Sequence, residues 1–391
     1  MNIVLFSDTY PPEINGVATS TRSLFNTLVS HGHQVVVVTT NPMSKEVTYI
    51  DGILRIPGAE LKKLYGYRMS WIYNSKAMKI IRAFQPDVAH IQTDAGIGAF
   101  GHIVTRLLKL PKVYTYHTMY EDYTHYATKG YFDRFAKSAV RTFTKSIISG
   151  VDEFVIPSIK TKDYMRCIGV DNFIHVVPTG TDFSKFAIEN IDRAKLANLM
   201  KKYRPDPSVV TLLVLGRVAK EKSIDVCLKS YAAFLKSRPR RKTQLLVVGG
   251  GPALEELKLL AEELGIAHTT TFVGRVLPDE VAYYYHLGDY FLCASLSETQ
   301  GLTFMESMAS DLLVITRYDT NLIGVINDGE TGFFYVGPDD FPQVFEKVLA
   351  LPKTKVRAIV KKAKDGIEPY SIETFYQNII KVYRRAIRKK W

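Results

Sequence analysis

Short runs rich in β-branched and apolar residues alternate with longer amphipathic segments along almost the whole chain. This alternation is typical of the parallel βαβ unit, in which a helix crosses back over the sheet after each strand. Several runs are apolar at every position, as in strands that are covered by helices on both faces. The pattern therefore predicts an α/β fold built on doubly wound parallel sheets.

Strand and helix candidates fill both halves of the chain in the same alternating order. In the first half, strands are expected at 2–6, 34–39, 87–91, 112–116, 153–157 and 174–177, and helices at 19–30, 71–83, 98–108, 132–148 and 159–166. In the second half, strands are expected at 210–215, 244–248, 270–273, 290–294, 312–316 and 332–335, and helices at 224–236, 253–264 and 372–387. A polar stretch without strand character separates the two halves.

The length of 391 residues exceeds the about 250–300 residues at which a single hydrophobic core stops growing. The pattern predicts an N-terminal Rossmann-like domain at 1–182, a linker at 183–207 and a C-terminal Rossmann-like domain at 208–370. The terminal helix at 371–391 is expected to pack back toward the N-terminal domain. Because such sheets bind ligands at the carboxyl ends of their strands, two facing domains with a central ligand cleft are expected.

Composition narrows the class of protein. Hydrophobic residues make up 46% of the chain and charged residues 23%, as in globular proteins. No apolar run approaches the about 20 residues that cross a bilayer, and the first run is too short for the core of a signal peptide. The three cysteines stand far apart and fit neither a disulfide framework nor a metal pattern. We therefore expect an intracellular, reduced protein.

The positive charge is concentrated in one part of the chain. The net charge is +12, and residues 51–150 hold 15 Lys and Arg against 7 Asp and Glu, which is +8 of that total. A basic excess of this kind suits nucleic acid, an anionic membrane or a phosphorylated substrate.

A long loop follows the first strand and leads into a helix near Gly16. A glycine at this position lets the backbone approach a ligand closely, and helix N-termini favour anionic groups. The spacing is not that of a dinucleotide-binding glycine motif. An ordinary turn glycine explains Gly16 equally well.

Two motifs follow consecutive strands of the second half. Arg217 and Lys222 come just after the strand at 210–215, where a guanidinium fork and a mobile ammonium group would suit a phosphate. A solvated, charged loop is the simpler alternative. Gly249, Gly250 and Gly251 follow the next strand, where they would serve either a nucleotide or only a tight turn.

The segment 297–306 is the sharpest feature of the chain. Glu298 and Glu306 stand eight residues apart, with Gly301 between them and a strand just before. If a helix begins near Gly301, the N–H groups of Leu302 and Thr303 are free to bind the same ligand as Glu298. Carboxylates accept hydrogen bonds from vicinal hydroxyls, so a sugar and a ribose are candidate ligands. A glycosidase acid pair and simple helix-start acids are the alternatives.

A polar and aromatic run begins at the end of the strand at 112–116. Between Tyr116 and Tyr126 it holds two histidines, His117 and His125, two acids that include Asp122, and four tyrosines. This density favours a polar pocket over a core. The residue types allow a metal, but their spacing matches no recognised metal site.

Taken together and in this order, the motifs resemble the retaining GT-B glycosyltransferases of family four, over nearly the whole chain. The resemblance implies that Arg217 and Lys222 bind the diphosphate of a nucleotide sugar, that Glu306 binds the ribose, and that Glu298 is the catalytic-site carboxylate that holds the sugar. It also implies that His117 and Gly16 border the transferred sugar. The remaining donor-site residues implied are Gly250, Gln300, Gly301, Leu302 and Thr303.

Within that family, segments 298–303 and 120–126 are similar to those of bacterial diacylglycerol glucosyltransferases. Such enzymes use UDP-glucose at the cytoplasmic face of the membrane. The resemblance therefore implies a lipid acceptor, no tightly bound cofactor and no essential metal at the site. Retention would proceed by front-face attack, in which the leaving diphosphate takes the acceptor's proton.

The predicted helix at 132–148 carries a basic stripe of Arg134, Lys137, Arg141 and Lys145. Its apolar positions, 132, 135, 139, 143 and 147, also follow helical spacing. A basic amphipathic helix can lie on an anionic bilayer, and Asp122 and His125 precede it as further acceptor or membrane candidates. A solvated face above a core-facing stripe is the alternative.

Other functions compete with this interpretation. A nucleic-acid-binding protein would explain the basic charge and the tyrosines but leaves the carboxylates without a role. A relative that acts on a soluble acceptor, or on another lipid-linked one, would share the fold. The sugar, the nucleotide, the exact lipid and the oligomeric state stay open.

Overall fold

A computed structural model describes residues 1–13, 15–42, 44–60, 68–117, 133–295 and 301–390 of the chain. They fall into two compact units, one made of Met1–Thr181 with Ile372–Trp391 and the other of Asp182–Ser371. Each unit has a largely parallel sheet covered by helices on both faces, so the predicted fold class is confirmed.

The first unit holds strands β1 to β9 and helices α1 to α5. The strands are β1 (Asn2–Phe6), β2 (Gln34–Asn41), β3 (Thr48–Ile50), β4 (Ile53–Glu60), β5 (Arg68–Ser70), β6 (Val88–Ile91), β7 (Lys112–Thr115), β8 (Glu153–Ile156) and β9 (Ile174–Val176). The helices are α1 (Gly16–Ser30), α2 (Ser75–Phe84), α3 (Gly96–Leu107), α4 (Asp133–Ser149) and α5 (Ile159–Cys167).

In the described part of this unit the strand order is β3-β4-β2-β1-β6-β7-β8-β9, and β5 pairs with β4. All pairings are parallel except those of β3 and β5 with β4. The sequence pattern missed β3, β4 and β5. The hairpin turn at Asp51 and Gly52, both with positive φ, was the available signal.

The second unit holds strands β10 to β15 and helices α6 to α12, and the chain then returns to the first unit in α13 (Ile372–Lys390). The strands are β10 (Val210–Leu215), β11 (Thr243–Val248), β12 (Thr270–Gly274), β13 (Tyr290–Cys293), β14 (Leu313–Arg317) and β15 (Phe333–Tyr335). The helices are α6 (Arg193–Tyr203), α7 (Ile224–Ser237), α8 (Leu254–Glu263), α9 (Val281–Tyr285), α10 (Leu302–Ala309), α11 (Phe341–Leu349) and α12 (Lys353–Gly366). All strand pairs are parallel, in the order β12-β11-β10-β13-β14-β15.

The stretch at 183–207, expected as a linker, is instead part of the second unit. Asp192 caps α6 by accepting hydrogen bonds from the N–H groups of Ala194 and Lys195. Phe186 and Leu196 are buried in the same core as β10. The burial of these apolar side chains therefore holds this stretch against the second sheet. Its mostly polar composition gave no sign of this packing.

Candidate active site

Each sheet has one point where the strand order reverses, and ligands of doubly wound folds bind outside the strand ends at such a point. In the first unit it lies between β1 and β6, and in the second between β10 and β13. Apart from the basic residues of α4, the candidate residues that the structure describes follow these strands or their neighbours β7 and β11. Topology thus groups them into one cluster per unit.

Gly16 is the first residue of α1, beyond the carboxyl end of β1. The Asn15 side chain caps this helix by accepting a hydrogen bond from the Ala18 N–H at 2.9 Å. A Cβ at Gly16 would meet nothing within 4 Å. The helix start therefore presents open space beside the strand ends, as a ligand-facing position requires.

His117 lies two residues beyond β7 and is partly buried. Its Nε2 is 2.6 Å from Oε1 of Gln92, which directly follows β6. Burial lowers the pKa of His117 to about 4. The imidazole is therefore neutral at pH 7. The sequence pattern did not single out Gln92, although a polar residue directly after a predicted strand was the available signal.

Two further buried polar residues support this end of the sheet and were also missed. Asp8 accepts hydrogen bonds from the Thr93 hydroxyl at 2.6 Å and the Ile97 N–H at 2.8 Å, and so caps α3. Burial raises the pKa of Asp8, and these hydrogen bonds oppose the rise. His90 bonds Tyr383 of α13 through Nδ1 at 2.8 Å and Thr115 through Nε2 at 2.7 Å.

In the second unit, Arg217 and Lys222 belong to the loop between β10 and α7. The Arg217 guanidinium donates to the Glu221 carboxylate, and 66% of its side chain is exposed. Lys222 is half-buried in the turn that precedes α7. Both residues lie where a phosphate bound at the switch point would need cations.

The three glycines after β11 have a packing explanation. A Cβ at Gly249 would lie 1.8 Å from the Gly216 carbonyl oxygen, and one at Gly251 would lie 2.1 Å from that of Val218. A Cβ at Gly250 would lie 2.9 Å from the Cβ of Arg275. The glycines therefore let the loops after β10 and β11 cross closely, which also brings Gly250 next to the Arg217 loop.

Helix α10 begins after β13, as the glycine pattern predicted. Gly301 sits at its N-cap with φ of 69°, a left-handed conformation that favours glycine. Leu302 and Thr303 occupy the first turn, where N–H groups have no helical acceptor. Such a helix start suits an anionic phosphate.

Glu306 lies in the second turn of α10 and is partly buried. The Tyr285 hydroxyl donates to its Oε2 at 2.7 Å. Burial raises the pKa of Glu306 to about 7, against the opposing effect of the Tyr285 bond. Tyr285, from α9, is a further residue that sequence reasoning missed.

Two family sequence models match the chain, one over each half. That of Glycosyltransferase Family 4 matches residues 14–185, and that of Glycosyl transferases group 1 matches residues 197–365. The chain is 36% identical over 390 residues to the alpha-monoglucosyldiacylglycerol synthase of Streptococcus pneumoniae, an alignment that covers 99% of this chain and 86% of that protein. The chain belongs to glycosyltransferase family 4.

One further comparison agrees with this family, and another agrees with the fold. The glycosyltransferase is 30% identical over 403 residues to the alpha-monoglucosyldiacylglycerol synthase of Acholeplasma laidlawii, with all of both chains covered. Its fold matches that of Anabaena HepE, solved in complex with UDP-glucose, with a TM-score of 0.71 at 13% identity over 98% of this chain and 99% of that one. It is an enzyme, a hexosyltransferase with the GT-B fold, as the sequence motifs predicted.

Four predicted site residues of this glycosyltransferase lie outside the described residues: Asp122, His125, Glu298 and Gln300. Arg134 and Lys137 lie in α4, but their side chains are also outside the description. Their expected roles stay predictions.

The alternative for α4, a stripe that faces the core, does not hold at Phe143, which is 51% exposed. Thr144 and Ile148 form the buried face instead, together with the half-buried Ile147. Helix phase explains the difference, because the buried positions 144 and 148 lie one residue beyond the predicted stripe positions 143 and 147. Arg141 and Lys145 are exposed, as expected of the basic stripe.

No helix of the described residues is long and apolar enough to cross a membrane. No three His, Cys, Asp or Glu side chains of the described ranges group together as metal ligands would.

Proposed function

We propose that this glycosyltransferase transfers glucose from UDP-glucose to diacylglycerol, with retention of the anomeric configuration, at the cytoplasmic face of the membrane. The observation that carries the proposal is the similarity to two alpha-monoglucosyldiacylglycerol synthases over at least 99% of this chain. The UDP-glucose complex of Anabaena HepE, which shares the fold, supports the choice of donor.

The donor would bind at the switch point of the second unit. Arg217 and Lys222 would neutralise the diphosphate, and the N–H groups of Leu302 and Thr303 would bind its distal phosphate. Glu306 would accept hydrogen bonds from the ribose hydroxyls. Glu298 and Gln300 would hold the hexose and Gly250 would border the nucleotide, as the family resemblance implies.

In the transfer step, the bond between the anomeric carbon and the diphosphate oxygen breaks while the acceptor hydroxyl attacks from the same side. Negative charge develops on the leaving diphosphate, where Arg217 and Lys222 would stabilise it. The diphosphate would also take the acceptor's proton. His117 and Gly16 of the first unit would contact the hexose, and His117 would do so as a neutral imidazole.

Exposed apolar side chains in the first unit support a membrane-bound acceptor. Trp71, Ile72 and Tyr73 are consecutive and 82%, 58% and 49% exposed, and Phe143 of α4 is half exposed. Arg141 and Lys145 add exposed positive charge. Exposed aromatic side chains and exposed cations both favour binding to a membrane interface, so the enzyme would act as a peripheral membrane protein.

A transfer assay with a panel of nucleotide sugars tests the proposal. Each donor is offered with diacylglycerol in anionic vesicles, with the same vesicles lacking diacylglycerol, and with soluble sugar acceptors. We expect an α-linked glucosyl lipid from UDP-glucose and diacylglycerol. Transfer only to soluble acceptors, or a β-linked product, would contradict the proposal.

A further inference from the structure

Gln92 occupies an unusual position for a glutamine. It follows β6 directly and is only 3% exposed, and its N–H donates to the Phe6 carbonyl of the neighbouring strand β1. Its Oε1 is bonded to His117, while its Nε2 is buried without a hydrogen-bond partner in the described part of the chain. A buried donor that is left unpaired is rare in a structural core.

The contact determines where the His117 ring carries its proton. An amide oxygen has only lone pairs, so the His117 Nε2 must be the donor across the 2.6 Å contact. Since the low pKa of His117 keeps the ring neutral, its Nδ1 is left as a hydrogen-bond acceptor.

The described surroundings leave this acceptor without a protein partner. His117 and Gln92 line a cavity of about 10 Å³ together with Ser20, Thr115 and His90. Both nitrogens of His90 are already bonded, to Tyr383 and Thr115, so His90 cannot serve a ligand. No described residue bonds the His117 Nδ1.

We propose that Gln92 is a positioning residue, which fixes His117 as the Nε2–H tautomer so that its Nδ1 accepts a hydrogen bond from a hydroxyl of the transferred hexose. This inference rests on the proposed function for the identity of the ligand. The amide N–H group of Gln92 is a second unpaired polar group beside His117, and the cavity that Gln92 lines has a volume of about 10 Å³, which is about the size of one water molecule.

Nitrogen-15 NMR of the full-length protein, labelled at histidine, tests the tautomer without any substrate. We expect the wild type to show His117 protonated at Nε2 alone. Gln92→Leu, which has nearly the same volume, should give a mixture of tautomers. The matched control is Gln244→Leu in the second unit, which loses bonds to Tyr203 and Thr211 and should leave the His117 signals unchanged.

Transfer kinetics test the consequence. Gln92→Leu should lower kcat/KM about tenfold, the loss expected for one neutral hydrogen bond. Gln92→Glu keeps the acceptor but adds a negative charge that raises the pKa of His117. Its activity should therefore fall at low pH, where Nδ1 becomes protonated, and recover at high pH. The other titratable groups here, His90 and Tyr383, are buried and neutral throughout this range.

Two results would overturn the inference: a wild-type His117 protonated at Nδ1, or unchanged tautomer and kinetics in Gln92→Leu. If the wild type transfers no hexose to any acceptor, the proposed function fails. The NMR experiment then still decides whether Gln92 positions His117, so the two failures are distinguishable.

Discussion

Arg217 forms an exposed ion pair with Glu221, four residues later in the same loop. Exposed pairs of this kind contribute at most about 1 kcal/mol. A bound diphosphate could therefore replace Glu221 as the partner of the Arg217 guanidinium at little cost in free energy. The pair holds the side chain near the strand end until a donor arrives.

At the residue scale, Arg217→Ala and Lys222→Ala should each lower turnover about 100-fold or more, because each would remove a cation from the leaving group. The measurement is kcat for glucosyl transfer, with circular dichroism to verify folding. Lys220→Ala is the matched control, since Lys220 is an exposed lysine of the same turn that pairs with Glu256. Near-normal turnover in both Arg217→Ala and Lys222→Ala would contradict the proposed donor site.

Glu306 should make nucleotide binding depend on pH. With its pKa at about 7, the side chain is largely a neutral acid at pH 6 and a carboxylate at pH 8. The carboxylate is the better acceptor for ribose hydroxyls, so the affinity for UDP should rise between these pH values. Calorimetric titration of UDP at several pH values measures the effect.

Two variants separate Glu306 from the ionisation of UDP itself. Glu306→Gln should weaken UDP binding and flatten its pH dependence. Tyr285→Phe removes a hydrogen bond that lowers the pKa of Glu306, so the rise in affinity should move to higher pH. An unaltered pH profile in both variants would contradict this role for Glu306.

At the scale of elements, α4 presents Arg141, Lys145 and Phe143 to solvent, and Arg134 and Lys137 belong to the same helix. Each basic residue near an anionic bilayer can contribute about 1 kcal/mol, and salt screens this contribution. The four together would supply at most about 4 kcal/mol. Phe143 would add a contribution that salt does not screen.

Replacing these four basic residues with Gln should reduce binding to anionic vesicles far more than binding to neutral ones. Hydrolysis of the donor by water should change little, because α4 belongs to the first unit and the proposed donor site to the second. Vesicle sedimentation at two salt concentrations measures the effect. Replacing the exposed Lys355, Lys361 and Lys362 of α12 with Gln is the matched control. If the basic face of α4 contacts only solvent, the α4 variant should bind vesicles as well as the wild type does.

At the scale of the whole molecule, the chain ends by returning to the first unit. Helix α13 packs against β6, β7 and β8 and buries Phe375, Ile379 and Tyr383 there. Glu153 of β8, almost fully buried, pairs with Arg385 at 3.0 Å, Lys389 at 2.8 Å and His175 at 2.6 Å. Apolar packing and these ion pairs together hold α13 against the rest of the first unit.

Replacing Arg385 and Lys389 with Ala should destabilise the first unit by up to about 3 kcal/mol, because Glu153 would keep only His175 as a partner. Urea unfolding followed by circular dichroism measures the loss. Lys229→Ala, which breaks an exposed pair with Asp225, should cost less than about 0.5 kcal/mol. Equal effects of the two changes would show that the ion pairs of Glu153 do not hold α13 in place.

The same ion pairs of Glu153 predict a pH dependence of stability. Burial favours a raised pKa for Glu153, but the hydrogen bonds from Lys389 and His175 outweigh it and lower the pKa. A lowered carboxyl pKa adds stability above the unfolded value of about 4.5. That stability is lost as the pH falls through the folded pKa. Urea unfolding between pH 6 and pH 3 should show this loss, and the Arg385 and Lys389 double variant should show less of it.

The sequence by itself determined the fold class, the family and most strands, because burial on both faces leaves a continuous apolar run that is visible locally. The start of α10 was equally readable, since only glycine readily adopts the left-handed conformation of Gly301. The short strands β3 and β5 could not be predicted in this way, because pairing with β4 rather than any local pattern holds their few residues in place.

Tertiary structure alone decided which polar residues meet. Gln92 and His117 are 25 residues apart in the chain, Tyr285 and Glu306 are 21 apart, and His90 and Tyr383 are 293 apart. No local pattern encodes such pairs, because strand order rather than chain order sets which strand ends are neighbours. The shifted pKa values have the same origin, since burial depends on all the elements that pack around a group.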